Sequence, residues 1–291
     1  MYCVKERSLF MSRIIIASDS TCDLNQELIA RYQVHILPLG VSLGEKQFTD
    51  GVDITPDDIY AHYTATGELP KTSAVNIAQF DDFFRKHTAE GSSIVLFTIS
   101  SDMSSTCSNA KIAAEEYDNV YVVDSQNLST GVGLLVVAAA EMAADGKSAK
   151  EIAERCSELS SHVDASFVVD DLEFLHKGGR CSAVAALGAN LLQLKPCISV
   201  KAGKMGVAKK YRGKFPSVVE KYIAERIGDG TGIELNHVFI THGGCDQEIT
   251  ERCVEQVKAA ANFKEVHLTR AGCTISSHCG QNTLGVLFLR K

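Results

Sequence analysis

Up to about residue 163 the chain alternates short apolar runs with longer amphipathic ones. "RIIIASDS", "VHILPLGVSL", "SIVLFTIS" and "NVYVVDS" are nearly continuous in apolar residues. Runs of that length without strict alternation predict strands covered on both faces, as in a parallel sheet. Between them, "LNQELIARY", "TPDDIYAHYTATG", "AQFDDFFRKHTAEG", "STCSNAKIAAEEY", "GVGLLVVAAAEMAADG" and "SAKEIAERCSELSSHV" have helical spacing. Thr55, followed by Pro56 and two acids, predicts an N-cap with proline in the first turn. Phe80, Phe83 and Phe84 fall on one helical face, and Gly146 ends the long apolar helix. Strand, loop and helix in this repeat predict a parallel α/β sheet. Its ligand site would lie beyond the carboxyl ends of the strands. Three strands end there in "ASDST", "TISSD" and "VVDSQ", each supplying Ser or Thr.

The pattern then changes. "ASFVVDDLEFLHKGGR" predicts a strand, a short helix and a Gly-Gly turn, and "SAVAALGANLLQL" a nearly all-apolar helix. "KPCISVKAGKMGVAKKYR" predicts a hairpin turning at Gly203, followed by the helix "KFPSVVEKYIAERIG". "NHVFITHGGC" predicts a strand, "DQEITERCVEQVKAAAN" a helix, and "EVHLTRAGCTISSHCGQNTLGVLFLRK" closing strands. The expected architecture is a two-lobed α/β protein. An N-terminal parallel-sheet domain spans residues 1–163 and a mixed α/β domain residues 164–291. Residues 1–12 fit no element and are expected to be an extension, with Met11 as the natural start.

Length and charge narrow the options. A chain of 291 residues suits two domains at roughly 150 residues each. The net charge of −7 argues against general nucleic-acid or anionic-membrane binding. No window reaches the roughly 18 apolar residues of a membrane span, so membrane contact is expected to be transient at most. The ten cysteines include no CxxC pair and no zinc-knuckle spacing. There is no secretory apolar segment. The cysteines are therefore expected to be reduced core fillers in a cytoplasmic protein, and no metal is expected.

Several polar clusters carry two readings each. Asp19, Ser20, Thr21 and Asp23 could rim a ligand, or Ser20 or Asp23 could cap the following helix. Thr72 and Ser73 in "KTSAVN" can donate two hydrogen bonds to a carboxylate, or cap the helix that starts near Ile77. Ser104, Ser105 and Thr106 precede a helix, whose N-terminus suits an anion. Capping would employ only one of these hydroxyls. Lys177, Gly178, Gly179 and Arg180 could cradle phosphate or simply end a helix, and the P-loop spacing is absent. His242 and His278 each sit in a polar stretch read as a loop at a strand end. Together with Ser and Asp they invite a hydrolase reading, but no GxSxG elbow is present. Lys201, Lys204, Lys209, Lys210, Arg212 and Lys214 form a basic run on a hairpin, either solvated or a docking face for an acidic partner.

"DSTCDL", "DGVDI", "KTS", "SSDMSSTCSNA", "VVDS" before a Gly-initiated apolar helix, "LHKGGR", "GKMG" and "SSHCGQNTLGVLF" occur in this order from about Ile14 to Phe288. In that order they resemble the DegV family of bacterial fatty-acid-binding proteins. The resemblance implies two α/β lobes and a long-chain fatty acid, such as palmitate, in an apolar tunnel between and within them. The head-group ligands it implies are Thr72, Ser104 and His278, with Ser73 beside Thr72. Arg180 matches a family arginine near the site that is linked to partner docking. It implies no cofactor and no catalytic residue: the lipid is carried, or presented to a partner fatty-acid kinase. The alternatives are a hydrolase or phosphotransferase using the Ser/His/Asp edge, and a phosphate or sugar-phosphate binder.

Burying about fourteen methylenes of such a tail is worth roughly 11 kcal/mol, and each hydrogen bond to the carboxylate about 1.5–3 kcal/mol. The tail would supply the affinity, and the hydroxyl/His cluster the orientation. The helix "SAVAALGANLLQL" is the expected tunnel wall. The sequence departs from the family pattern at Ser105, where a glycine is usual, at Ala74-Val75 and at Gln281-Asn282.

Overall fold

The structure, a computed structural model, describes residues 13–89, 91–182 and 194–291. The chain begins β1 (Ile14–Asp19), α1 (Gln26–Tyr32), β2 (His35–Leu37), β3 (Gly40–Leu43), β4 (Lys46–Thr49), α2 (Pro56–Thr66) and β5 (Lys71–Ser73). It continues α3 (Ile77–Thr88), β6 (Ser93–Thr98), α4 (Thr106–Ala114), β7 (Val120–Asp124), α5 (Thr130–Ala144) and α6 (Ala149–Leu159). Then come β8 (Val163–Val169), α7 (Glu173–Gly178), β9 (Lys195–Lys201), β10 (Lys204–Tyr211) and α8 (Phe215–Ile227). The last elements are β11 (Ile233–Gly243), α9 (Gln247–Ala260), β12 (Glu265–Arg270), α10 (Cys273–Cys279) and β13 (Thr283–Arg290).

The first sheet is parallel, in the order β2-β1-β6-β7. The second has six strands in the order β10-β9-β8-β13-β11-β12. It is antiparallel except for the β11–β12 pair. A third, small antiparallel sheet runs β4-β3-β5.

α5 explains its own composition. Every residue from Thr130 to Val137 is buried, because the helix lies between two sheets rather than on one. One apolar cluster joins Ile16, Val95 and Phe97 of the first sheet to Phe167, Phe239 and Leu287 of the second through Val132, Leu135 and Val136. Gly133 permits the close approach: a Cβ there would lie 2.8 Å from the Cys22 carbonyl oxygen. The opposite face of the six-stranded sheet is covered by α8 and α9, with Tyr222 and Val257 fully buried.

The predicted caps form. Thr55 and Asp58 make a capping box at α2 with Pro56 in the first turn. α1 is capped by Asn25, not by Ser20 or Asp23, and α3 by Asn76, not by Thr72 or Ser73. Two expectations for elements need correction. "VHILPLGVSL" is two strands in different sheets, β2 and β3, because Pro38 between them cannot donate to a ladder. The closing segment is not all strand: α10 lies between β12 and β13, which moves His278 from a loop to a helix.

The nine described cysteines are buried, and burial pushes the thiols of Cys22, Cys156 and Cys279 up to about 12. Among the described residues no helix is long and apolar enough to cross a membrane. The expected tunnel-wall helix, residues 182–194, falls almost entirely on 183–193, outside those described.

Candidate functional site

Thr72 and Ser73 sit on β5, an edge of the small sheet, where Thr72 pairs with Val41 and Ser73 with Gly40. A Cβ at position 40 would overlap the Ser73 hydroxyl, so glycine keeps that register open. Ser104 follows β6 at its carboxyl end. Its hydroxyl lies 2.9 Å from that of Thr106 and accepts the Thr106 N–H at 3.2 Å.

His278 is brought in by α10, whose first turn is anchored from far away. The Asp50 carboxylate accepts the N–H groups of Cys273 (2.8 Å) and Thr274 (3.1 Å) and the Thr274 hydroxyl (2.6 Å). Asp23 accepts the Gly272 N–H at 2.8 Å and the Ser129 hydroxyl at 2.5 Å. Ser20 donates to Asp50 at 2.9 Å. Asp19 accepts the Thr21 hydroxyl at 2.5 Å and the Ile99 N–H at 2.8 Å. The Asp19–Asp23 cluster is thus scaffolding that fixes α10 and the end of β6, not a ligand rim.

So placed, His278 Nε2 lies 2.8 Å from the Thr72 hydroxyl. Among the described residues its Nδ1 is buried without a hydrogen-bond partner. The ring packs on Gly178, where a Cβ would come within 3.0 Å of Nδ1. Burial, and secondarily the charge of Arg180, lowers the ring's pKa to about 4. At neutral pH the imidazole is uncharged and carries one N–H. "KGGR" ends α7: Gly179 adopts the left-handed conformation at φ 70°, and Arg180 donates to the Gly178 carbonyl at 2.9 Å.

These side chains face one cavity of about 260 Å³, which Thr72, Ser73, Ser104, Arg180 and His278 all line. The rest of its wall is largely apolar, from Leu39, Ile99, Met103, Leu128, Met205 and Ile275. A smaller apolar space of about 30 Å³ adjoins it, sharing Leu128, Ile275 and Cys279 and extending to Phe167 and Leu287. On the β9–β10 turn, the Gly203 carbonyl accepts the buried Ser100 hydroxyl at 2.8 Å, joining the two sheets beside the cavity.

The arrangement limits the chemistry. A Ser-His-Asp device needs a carboxylate on the second imidazole nitrogen, and among the described residues His278 Nδ1 has none. His242 accepts the Cys245 N–H at 3.2 Å, which ties it to its own turn. "KGGR" closes α7 at its C-terminus, the electron-rich end of that helix, and has no P-loop spacing. The basic run is mostly solvated, with Lys209 paired to Glu225 and Lys204 near Asp102.

The family departures are accommodated. Ser105 has an ordinary backbone (φ −73°, ψ 0°) that needs no glycine. Ala74 lines the cavity, and the Val75 carbonyl accepts from Asn109 at 2.9 Å. Asn282 takes the left-handed conformation at φ 54°, which asparagine tolerates. Sequence reasoning missed Asp50 and the wall residues Leu39, Met205 and Ile275. Only the contiguity of "DGVDI" with its neighbours marked the Asp50 region, and nothing local marked the wall.

Fold and cavity together define a mixed α/β protein with a pocket whose wall is drawn from both halves of the chain. The chain belongs to the DegV family: a family model described as "Uncharacterised protein, DegV family" matches residues 13–291. It is 32% identical over 286 residues to a DegV domain-containing protein of Clostridium perfringens, covering 97% of this chain and 100% of that one. It is 31% identical over 283 residues to one of Clostridium acetobutylicum, again covering 97% and 100%.

Among solved structures it is similar to a fatty-acid-binding DegV family protein of Thermus thermophilus. The TM-score is 0.88 at 29% identity, covering 96% of this chain and 100% of that one. It is also similar to a stearic-acid-binding protein of Eubacterium ventriosum, with a TM-score of 0.80 at 29% identity, covering 95% and 98%.

Proposed function

We propose that this chain binds a long-chain fatty acid and performs no chemistry on it. The carboxylate would be held by Thr72, Ser73, Ser104 and His278, with Arg180 at the rim, and the tail would lie in the apolar part of the cavity and its extension. One observation carries the reading. Thr72 and His278, 206 positions apart in sequence, meet at 2.8 Å in a cavity whose remaining wall is mostly aliphatic.

A neutral imidazole and hydroxyls can donate to a carboxylate without the cost of burying a second bare charge. The family and the fatty-acid-binding relatives support the same reading. Among the described residues the hydrolase alternative has no orienting carboxylate for His278, and "KGGR" includes the C-terminal end of α7, which disfavours phosphate. The finer parts of the proposal are that the lipid is carried or presented to a partner fatty-acid kinase near Arg180, and that residues 164–291 hold the acyl tunnel. Nine buried thiols support a reducing, cytoplasmic setting.

The deciding experiment is mass spectrometry of small molecules released from the denatured protein, followed by uptake of palmitate and oleate by delipidated protein. A released fatty acid, or saturable uptake, supports the proposal. A protein that emerges empty and takes up neither acid overturns it.

A further inference from the structure

Strand register gathers a second cluster, away from the cavity. On β12, Glu265 and His267 are two positions apart and share a face. Glu265 pairs with His237 of β11, so all three side chains project on the side toward α1 and α5. His237 Nδ1 lies 3.0 Å from His267 Nε2, and that nitrogen is 3.8 Å from Glu265 Oε2. The three donor atoms lie within 4.8 Å of one another. Two imidazole nitrogens on a tetrahedral zinc, at about 2.0–2.1 Å each, would stand ~3.3 Å apart, close to the spacing here.

The surroundings are those of a ligand set. His237 Nε2 is 3.0 Å from Glu141 Oε1 on α5. A carboxylate there fixes the tautomer that leaves Nδ1 free to ligate, the usual outer support of a metal-bound histidine. His267 stacks on Phe239 with ring centroids 4.6 Å apart, which holds its orientation. Arg31 grips both Glu265 oxygens, at 2.6 and 2.8 Å, but each carboxylate oxygen keeps a second lone pair.

We propose that His237 Nδ1, His267 Nε2 and Glu265 form a site for a divalent transition-metal ion of the zinc type, with a fourth position open to water. Two imidazoles and one carboxylate suit Zn²⁺ better than Mg²⁺ or Ca²⁺. Metal entry displaces the hydrogen now shared by the two rings, which is released or moves to His267 Nδ1. Because Glu141 and Arg31 come from helices that pack on the first sheet, the ion would brace one half of the molecule against the other. No thiol takes part, so the absence of zinc-type cysteine spacing does not bear on it.

The test titrates chelator-dialysed protein with Zn²⁺ by calorimetry and with Co²⁺ by visible absorption. The expected result is one saturable equivalent per chain, a Co²⁺ spectrum of nitrogen and oxygen ligation, and a Tm that climbs with Zn²⁺ concentration. Glu141→Gln, a positioning change, should weaken Zn²⁺ about 10- to 100-fold, and Glu265→Gln and His267→Gln by more. Circular dichroism checks folding. Glu265 is partly exposed, so Glu265→Gln decides the matter should the His267 variant not fold. No saturable binding, unchanged affinity in Glu265→Gln, or a sulfur-to-cobalt charge-transfer band would each overturn the assignment.

Discussion

The Thr72 hydroxyl and His278 Nε2 lie 2.8 Å apart, one on an edge strand of the small sheet and the other on a buried helix near the end of the chain. With lipid present, both groups can turn their hydrogens to a carboxylate.

Removing either hydroxyl should therefore weaken head-group capture and leave the fold intact. Thr72→Ala and Ser104→Ala are each expected to cost about 1.5–3 kcal/mol of fatty-acid affinity, with wild-type circular dichroism. Fluorescent fatty-acid displacement measures this. Affinity unchanged in the double variant would remove the hydroxyls from the head-group site.

Blocking the deeper space should change tail preference more than head-group capture. Ile275 lines both the main cavity and its apolar extension. Ile275→Phe is expected to favour shorter acyl chains, at a packing cost of about 1–3 kcal/mol. Competition between acids of increasing length reads out the shift.

His278 should leave a signature in the pH dependence of stability. Its folded pKa is about 4 against an ordinary 6.5, so the unfolded chain takes up a proton that the folded one refuses. The stability this neutral ring confers is complete above pH 6.5 and is lost as pH falls through 4. The difference is worth about 3 kcal/mol. His267, also near 4, acts in the same direction. Asp19, pushed up to about 6 by burial, acts in the opposite one. The readout is thus the difference between wild type and His278→Gln in urea melts at pH 7 and pH 4.5. The variant should lose less stability between the two, and parallel losses would refute the assignment.

Asp50 should matter for both stability and binding. It is buried and accepts three hydrogen bonds at the start of α10. Asp50→Ala is expected to cost about 2–4 kcal/mol of stability, and to weaken fatty-acid binding because α10 carries His278. Urea denaturation and lipid titration of the same preparation test both effects.

Asn282 offers a cleaner backbone test. At φ 54°, Asn282→Ala should destabilise by about 1 kcal/mol, while Asn282→Gly should fall within a few tenths. Thermal melts of the pair separate the backbone effect from any side-chain role.

The sequence revealed what depends on local pattern. The apolar runs ending in "ASDST" and "TISSD" are β1 and β6, and the Thr55 cap and the Gly203 turn sit where spacing placed them. Thr72, Ser73, Ser104, Arg180 and His278 do line one cavity. What stayed hidden depends on partners distant in sequence. α10 is almost wholly buried through Thr, Ser and Cys side chains, so it shows no amphipathic period and its β-branched residues read as strand. Its N-terminal anchor, Asp50, is 223 positions from Cys273. The small sheet was invisible because β4 is mostly polar and pairs only with β3.

The cavity wall runs from Leu39 to Cys279 in sequence, and neither sheet's share encloses the space by itself. Whatever occupies it becomes a packing layer common to both halves, much as a keystone belongs to both sides of an arch. Emptying the pocket would strip contacts from the two sheets at the same moment. The molecule would then register the presence of cargo in its overall rigidity.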